Sequence, residues 1–314
     1  MIIYKADELK GMKTFDFNEE YIKLLSLLEK TNPCGQFYEA GEDSFIISYE
    51  LKLNLFNFKD FPALNTKAQI TGFPISLSQR GYYGNLSKAL EIIKKRKGLK
   101  IILNADEEII KNSRTLSTFV FDNSYKTFDD YLNALRSSYR RRINKALGYR
   151  HKMIINKIKN SDFSGDHYNL YLSIMNRTDN PLETLPIEFF QSYETEIYEF
   201  AERETKKIIG FIQLKEVQST LCFLFGGFNR EDVKKYDLYY NMLLKIIEAG
   251  IEKKVNTIEF GQTAEESKLK IGCREVYKYL YVHHSNFILN LLIQKLLPFV
   301  SYRPYKKIHH VFKE

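Results

Sequence analysis

The 314 residues are 44% hydrophobic and 27% charged, which is enough apolar material for one large or two mid-sized cores and excludes an intrinsically disordered chain. The three cysteines, Cys34, Cys222 and Cys273, stand far apart with no CxxC pair and no clustered histidine, which argues against a disulfide framework and against a metal site. Met1 to Asp7 shows no charged leader before an apolar stretch, and the most apolar run, Phe287 to Val300, is too short to span a bilayer, so no transmembrane segment and a cytoplasmic location are expected.

In chain order, Ser44 to Leu51 and Thr66 to Phe73 read as extended, Asn85 to Lys97 as an amphipathic helix, and Leu99 to Asn104 as a buried strand. This is the order of an α/β layer. No glycine-rich phosphate loop follows any of these strands, and Gly81-Tyr82-Tyr83-Gly84 is too sparse to make one. Thr127 to Leu147 reads as one helix, with Thr127 as N-cap, Asp129 and Asp130 in the first turn, and Gly148 as its stop. The boundary between two halves is placed there, giving domains 1–147 and 148–285.

The charge is unevenly spread. Residues 131–160 hold nine basic side chains, Arg136, Arg140, Arg141, Arg142, Lys145, Arg150, Lys152, Lys157 and Lys159, and no acid. Outside them 38 basic residues face 39 acidic ones, so the whole excess of +8 sits in this segment. A basic helix over 136–159 suits a polyanionic partner, such as a CoA pyrophosphate, a nucleotide-linked substrate, tRNA or anionic lipid; a solvated helix face is the alternative.

After a helical stretch around Tyr168 to Asn176, Arg177 to Pro186 carries two prolines and reads as irregular; its Asp179 and Glu183 are candidate proton acceptors if the fold brings them beside a substrate. From Lys206 the pattern becomes regular. Strands Lys206–Lys215 and Thr220–Asn229 precede a polar loop, a helix over Tyr236–Lys254, a strand at Val255–Gly261, a helix at Ala264–Gly272 and a strand at Tyr277–His284. Leu238, Met242, Leu243, Ile246, Ile247 and Ile251 give the long helix one apolar stripe. Phe287 to Val300 reads as an amphipathic helix followed by a basic tail; the segment 286–314 is expected to pack back on the N-terminal half, the alternative being shallow contact with an anionic membrane and a lipid-linked acceptor.

Ile258-Glu259-Phe260-Gly261, a short gap, and Lys268 at the start of Leu269-Lys270-Ile271-Gly272 resemble the FemAB-like and BioF2-like branch of the GNAT superfamily, as does the Arg140 to Ala146 stretch. The resemblance covers roughly residues 130 to 285. It implies an α/β (α+β) fold of tandem GNAT-like domains, with mixed central sheets flanked by helices and a degenerate first copy. The implied activity is transfer of an acyl group from acyl-CoA to an amine or hydroxyl, the alternative being transfer of an aminoacyl group from aminoacyl-tRNA to a cell-wall precursor; a non-catalytic module for RNA or membrane is the rival from another class. Lys268, Glu266 and Tyr279 are then the catalytic candidates, with Gln262, Tyr239, Asp179 and Glu183 as substrate-binding ones. The usual glycine-containing pyrophosphate loop is absent. Its place is taken by residues 229–236, in which Asn229, Arg230, Lys234 and Lys235 are the cofactor-binding candidates and Glu231 and Asp232 oppose an anion.

Overall fold

The computed structural model describes residues 1–314 except 13, 33, 55–64, 178–182, 304 and 314. Along the chain come β1 (Ile2–Ile3), α1 (Glu20–Thr31), β2 (Gln36–Ala40), β3 (Ser44–Asn54), β4 (Asn65–Thr71), β5 (Tyr82–Gly84), α2 (Leu86–Lys95) and β6 (Leu99–Ala105). Next are β7 (Thr118–Asp122), α3 (Phe128–Ala134), α4 (Ser137–Leu147), β8 (Met153–Ile158), α5 (Gly165–Met175), α6 (Ile187–Ser192), β9 (Glu196–Glu202), β10 (Ile208–Val217) and β11 (Thr220–Phe228). The chain continues through α7 (Arg230–Tyr236), α8 (Leu238–Glu252), β12 (Thr257–Glu259), α9 (Glu265–Lys270), β13 (Arg274–Val276), β14 (Tyr279–His284) and α10 (Phe287–Val300). It divides into two compact units, Met1–Ser117 with Tyr277–Pro304, and Thr118–Val276 with Tyr305–Glu314.

The sheets explain why the division falls at 117 and 276 and not at 147 and 285. In the first unit the strands run β1-β2-β3-β4-β6-β14, with β5 also on β3; in the second they run β13-β7-β12-β11-β10-β9-β8. Thus β14, expected in the C-terminal half, pairs antiparallel with β6, and β7, expected in the N-terminal half, lies between β12 and β13. The first unit takes β14 from beyond the stretch that builds the rest of it, whereas β7 opens the second unit's own continuous stretch.

In the first unit, alternation along the strands sends neighbouring residues to opposite faces. Ile102 and Tyr281 pack with Ala89 and Ile93 of α2, whereas Val282, Tyr49 and Ile70 pack with Leu297 of α10. Asn85 starts α2 by accepting the Lys88 N–H on its side chain. In the second unit Ile212 joins the core built on α8, while Phe211 meets Phe163 edge-on at 5.0 Å on the face covered by α5 and α6.

The parallel pair β11 and β12 requires a crossover, which α7 and α8 supply. All six residues of the predicted apolar stripe of α8 are buried. Gly250 lets β12 approach it, since a Cβ there would stand 2.4 Å from Ile258 Cδ1. The predicted helix over Thr127 to Leu147 is broken: Thr127 and Asp130 form a capping box on α3, and the chain then extends at Leu135 and Arg136. There the C-terminal segment pairs with it, Arg136 N–H donating to Val311 O and Lys313 N–H to Ala134 O. A helix cannot continue through residues engaged in a bridge. Among the described residues no helix is long and apolar enough to cross a membrane.

Candidate functional site

Pairing between β11 and β12 runs through Thr220 with Thr257, Leu221 with Ile258 and Cys222 with Glu259, and ends there. On its other side β11 pairs Phe225 with Gln213 and Phe223 with Leu214, leaving Leu224 as an extra residue. Such a bulge bends its strand. β11 runs on to Phe228 while β12 stops at Glu259, so the two parallel strands part and leave a length of β11 backbone without a β12 partner.

The turn that leads β12 away is strained. Gly261, Thr263 and Ala264 all have φ in the left-handed region, at 67°, 63° and 50°, and for β-branched Thr263 this is an outlier. Lys268 holds the turn: its side chain reaches back from α9, and Nζ donates to Gly261 O at 3.1 Å and Gln262 O at 2.6 Å. The residue is 2% exposed, and its Nζ lies 5.6 Å from the Phe119 ring centre. Burial lowers its pKa to about 8, against the opposing pull of Cys273, Glu259 and Glu265. An ammonium has three N–H donors, and these carbonyls engage two.

The neighbouring carboxylates differ in kind. Glu266 is ion-paired with Lys270 at 2.7 Å, and that hydrogen bond holds its carboxyl below the usual range. Glu265 is pushed up by burial and then by the negative charge of Glu275. Of the two, Glu265 is the better proton acceptor near neutrality, and it is not among the candidates drawn from the sequence. Its environment depends on β13 carrying Glu275 into register with Phe119 of β7, which no local pattern announces.

The start of α8 faces the same region. Asp237 sits between α7 and α8 with φ 50°, and Arg142 forks onto its carboxylate at 2.5 and 2.8 Å. Arg142 also stacks 3.8 Å from the Tyr240 ring centre, and Tyr240 lies near Ser267 and Lys270 of α9. Tyr239 packs against Phe228, their ring centres 5.6 Å apart. Lys268, Gln262, Glu266 and Tyr239 therefore belong to the second unit, around the start of α8 and the strained turn.

The expected polar loop before α8 is a helix. Asn229 precedes α7, and Arg230, Lys234 and Lys235 are exposed on it; Lys235 is ion-paired with Glu202 at 2.8 Å. Residues 136–159 are not one helix either, but α4, a 3-10 turn at Arg150–Lys152 and β8. Several of their charges are used inside the unit: Arg142 on Asp237, Arg150 on Glu248 and Asn241, and Lys157 on Glu196. Arg141, Lys145, Lys152 and Lys159 remain exposed.

Glu183 is buried near Tyr171, and Asp179 lies outside the described residues. Tyr279 stands on β14 in the first unit, where with Glu108, Arg114 and Arg303 it lines a cavity of about 420 Å³. Burial raises the Cys222 and Cys273 thiols, so neither is poised as a thiolate. Among the described residues no cluster of three or more His, Cys, Asp or Glu side chains could hold a metal ion.

No family model matches the sequence, and no curated protein matches it. Among solved structures it is similar to the C-terminal domain of a protein from Agrobacterium fabrum named as a lysylphosphatidylglycerol synthetase, with TM-score 0.57 and 11% identity over 96% of this chain and 98% of that one. FemX and L-PGS from Bacillus licheniformis each match with TM-score 0.54 and 11% identity, over 94% of this chain and 100% of theirs. At such identity the likeness is one of fold alone, a mixed α/β fold shared over nearly the whole of each chain.

Proposed function

We propose that the second unit is an acyltransferase that takes an aminoacyl group from an aminoacyl-tRNA ester and passes it to an amine, with the reacting carbonyl lodged where β11 and β12 part. The observation that carries this reading is the construction around the start of α8. A CoA pyrophosphate needs free N–H groups and positive potential at that helix end; here the chain places α7 before it and the Asp237 carboxylate at it. A donor ester on tRNA makes no such demand, and its phosphates suit the exposed Arg141, Lys145, Lys152 and Lys159. The solved structure whose name specifies a lysyl-bearing product supports the aminoacyl reading.

In this reading the acceptor amine attacks the ester carbonyl carbon, and the carbonyl π electrons move to oxygen. The third N–H of Lys268 stabilises that oxyanion, and Glu265 takes the proton from the amine. Collapse re-forms the carbonyl and breaks the ester C–O bond, and the ribose hydroxyl leaves with a proton. Preorganised donors of this type contribute about 10²–10³ in rate. Acyl-CoA is the second reading, favoured by the exposed Arg230 and Lys234 on α7.

Calorimetric titration with acetyl-CoA, free CoA and bulk aminoacyl-tRNA at two salt concentrations tests the choice. Binding of tRNA alone, with a steep loss on adding salt, is expected. Micromolar CoA binding with little salt dependence would replace this reading by the acyl-CoA one, and binding of neither donor would defeat both.

A further inference from the structure

α10 is built inside out. Its inward arc carries Asn290, Ile293, Gln294 and Leu297, and the two amides hang the helix on edge strand β14. Asn290 Oδ1 accepts the His284 N–H at 3.1 Å, and Gln294 Nε2 donates to Val282 O at 3.0 Å. The outward arc carries Phe287, Ile288, Leu291, Leu292, Leu296 and Phe299, exposed by 48% to 84%. A helix that turns its amides inward and its largest apolar groups outward has a face meant to be covered.

We infer that this face docks α10 flat on the surface of a bilayer containing anionic phospholipid. Fourteen residues make a helix of about 21 Å, short of the roughly 30 Å of a hydrocarbon core, so it lies in the interface and does not cross. Charge selects the occupant. Lys295 is exposed on the outward arc, Arg303 is exposed just beyond the helix, and the sequence has no acid between Glu275 and Glu314. A second copy on the same face would bury the Lys295 of both copies in a dry contact, with no acid from this segment to compensate. At a bilayer the lysine stem lies along the apolar surface while its ammonium reaches the lipid phosphates. The docking does not depend on the chemistry proposed at Lys268.

Co-sedimentation of the full chain with vesicles tests it, using phosphatidylcholine alone and an equal mixture with phosphatidylglycerol. Binding to the mixed vesicles is expected to exceed binding to the neutral ones at least tenfold at low salt. A variant carrying Phe287→Ser, Ile288→Ser, Leu292→Ser and Phe299→Ser should lose binding at least tenfold with an unchanged melting curve. Lys295→Glu, a surface change that keeps the fold if the fourfold variant does not, should weaken binding about tenfold. Absence of binding, or equal binding by wild type and variants, overturns the inference. So does a dimer in sedimentation that the fourfold variant converts to monomer, which would assign the face to a second copy.

Discussion

The two units solve one topological problem with different endings. Each joins two parallel strands through a helical crossover, β4 to β6 by α2 and β11 to β12 by α7 and α8, and each flanks the second strand with an antiparallel one from remote sequence. In the first unit the pairing runs from Ala68 with Leu99 to Thr71 with Ile102, and β4 ends with it. In the second, β11 overshoots its last pair by six residues and bulges. Each unit also buries a lysine on backbone carbonyl: Lys100 Nζ donates to Arg96 O at 2.7 Å, and Lys268 donates into the strained turn. Lys100 lies within its ladder and ties β6 to the end of α2, whereas Lys268 comes from outside the ladder to the place where pairing has stopped. Position relative to the end of pairing separates a structural lysine from a candidate catalytic one.

Exchange of each for methionine should break the symmetry between them. If the proposed aminoacyl transfer uses Lys268 as its oxyanion donor, Lys268→Met is expected to lower that transfer per folded molecule by about 10²–10³, measured as single-turnover rate. Lys100→Met should leave that rate within about twofold and lower only stability, by about 1–3 kcal/mol in denaturant melts, through the carbonyl left unpaired. Equal losses of rate would erase the distinction. The Lys268 amine also gives a pH signature. Its folded pKa of about 8 lies below the ordinary 10.5, so the folded state binds protons less well than the unfolded one between those values. Its burden on stability is fully present below about pH 8 and is relieved as pH rises toward 10.5, by roughly 3 kcal/mol. Wild type should therefore gain stability relative to Lys268→Met over that window.

Legibility in the sequence follows the range of the interactions. β10, β11, α8, β12 and α9 were readable because period two and period 3.6 are local, and the Glu259 to Lys268 spacing marked the turn. The partner of β14 was not, because Tyr279 to His284 would satisfy either sheet equally well by pattern. The break at Leu135 is written in Val311 to Lys313, far along the chain. α7 was hidden because a seven-residue helix rich in charge carries no apolar stripe, and Glu265 was passed over because the charge that raises it arrives through strand pairing.

Crossover packing is a smaller test of the same contrast. Gly250→Ala places a methyl 2.4 Å from Ile258 Cδ1, and the better helix propensity of alanine offsets only part of that overlap. A net loss of about 1–2 kcal/mol is expected in denaturant melts. If β12 yields sideways, its ladder with β11 opens earlier and transfer falls as well; unchanged stability would mean that β12 is loosely seated.

The helix starts offer the smallest effect. Asn85 caps α2 with its side chain, and Asn85→Ala should cost about 1 kcal/mol. α8 begins differently: Asp237 makes no cap bond, holds a left-handed φ and gives its carboxylate to Arg142. Asparagine tolerates that backbone, and the pair is partly exposed, so Asp237→Asn should change stability by less than about 1 kcal/mol. Its value lies in ligand binding. If the carboxylate alone keeps an anion from the start of α8, the variant should gain affinity for free CoA in calorimetry. The presence of α7 predicts instead that CoA binding stays undetected, because removing one charge does not supply the missing backbone cradle.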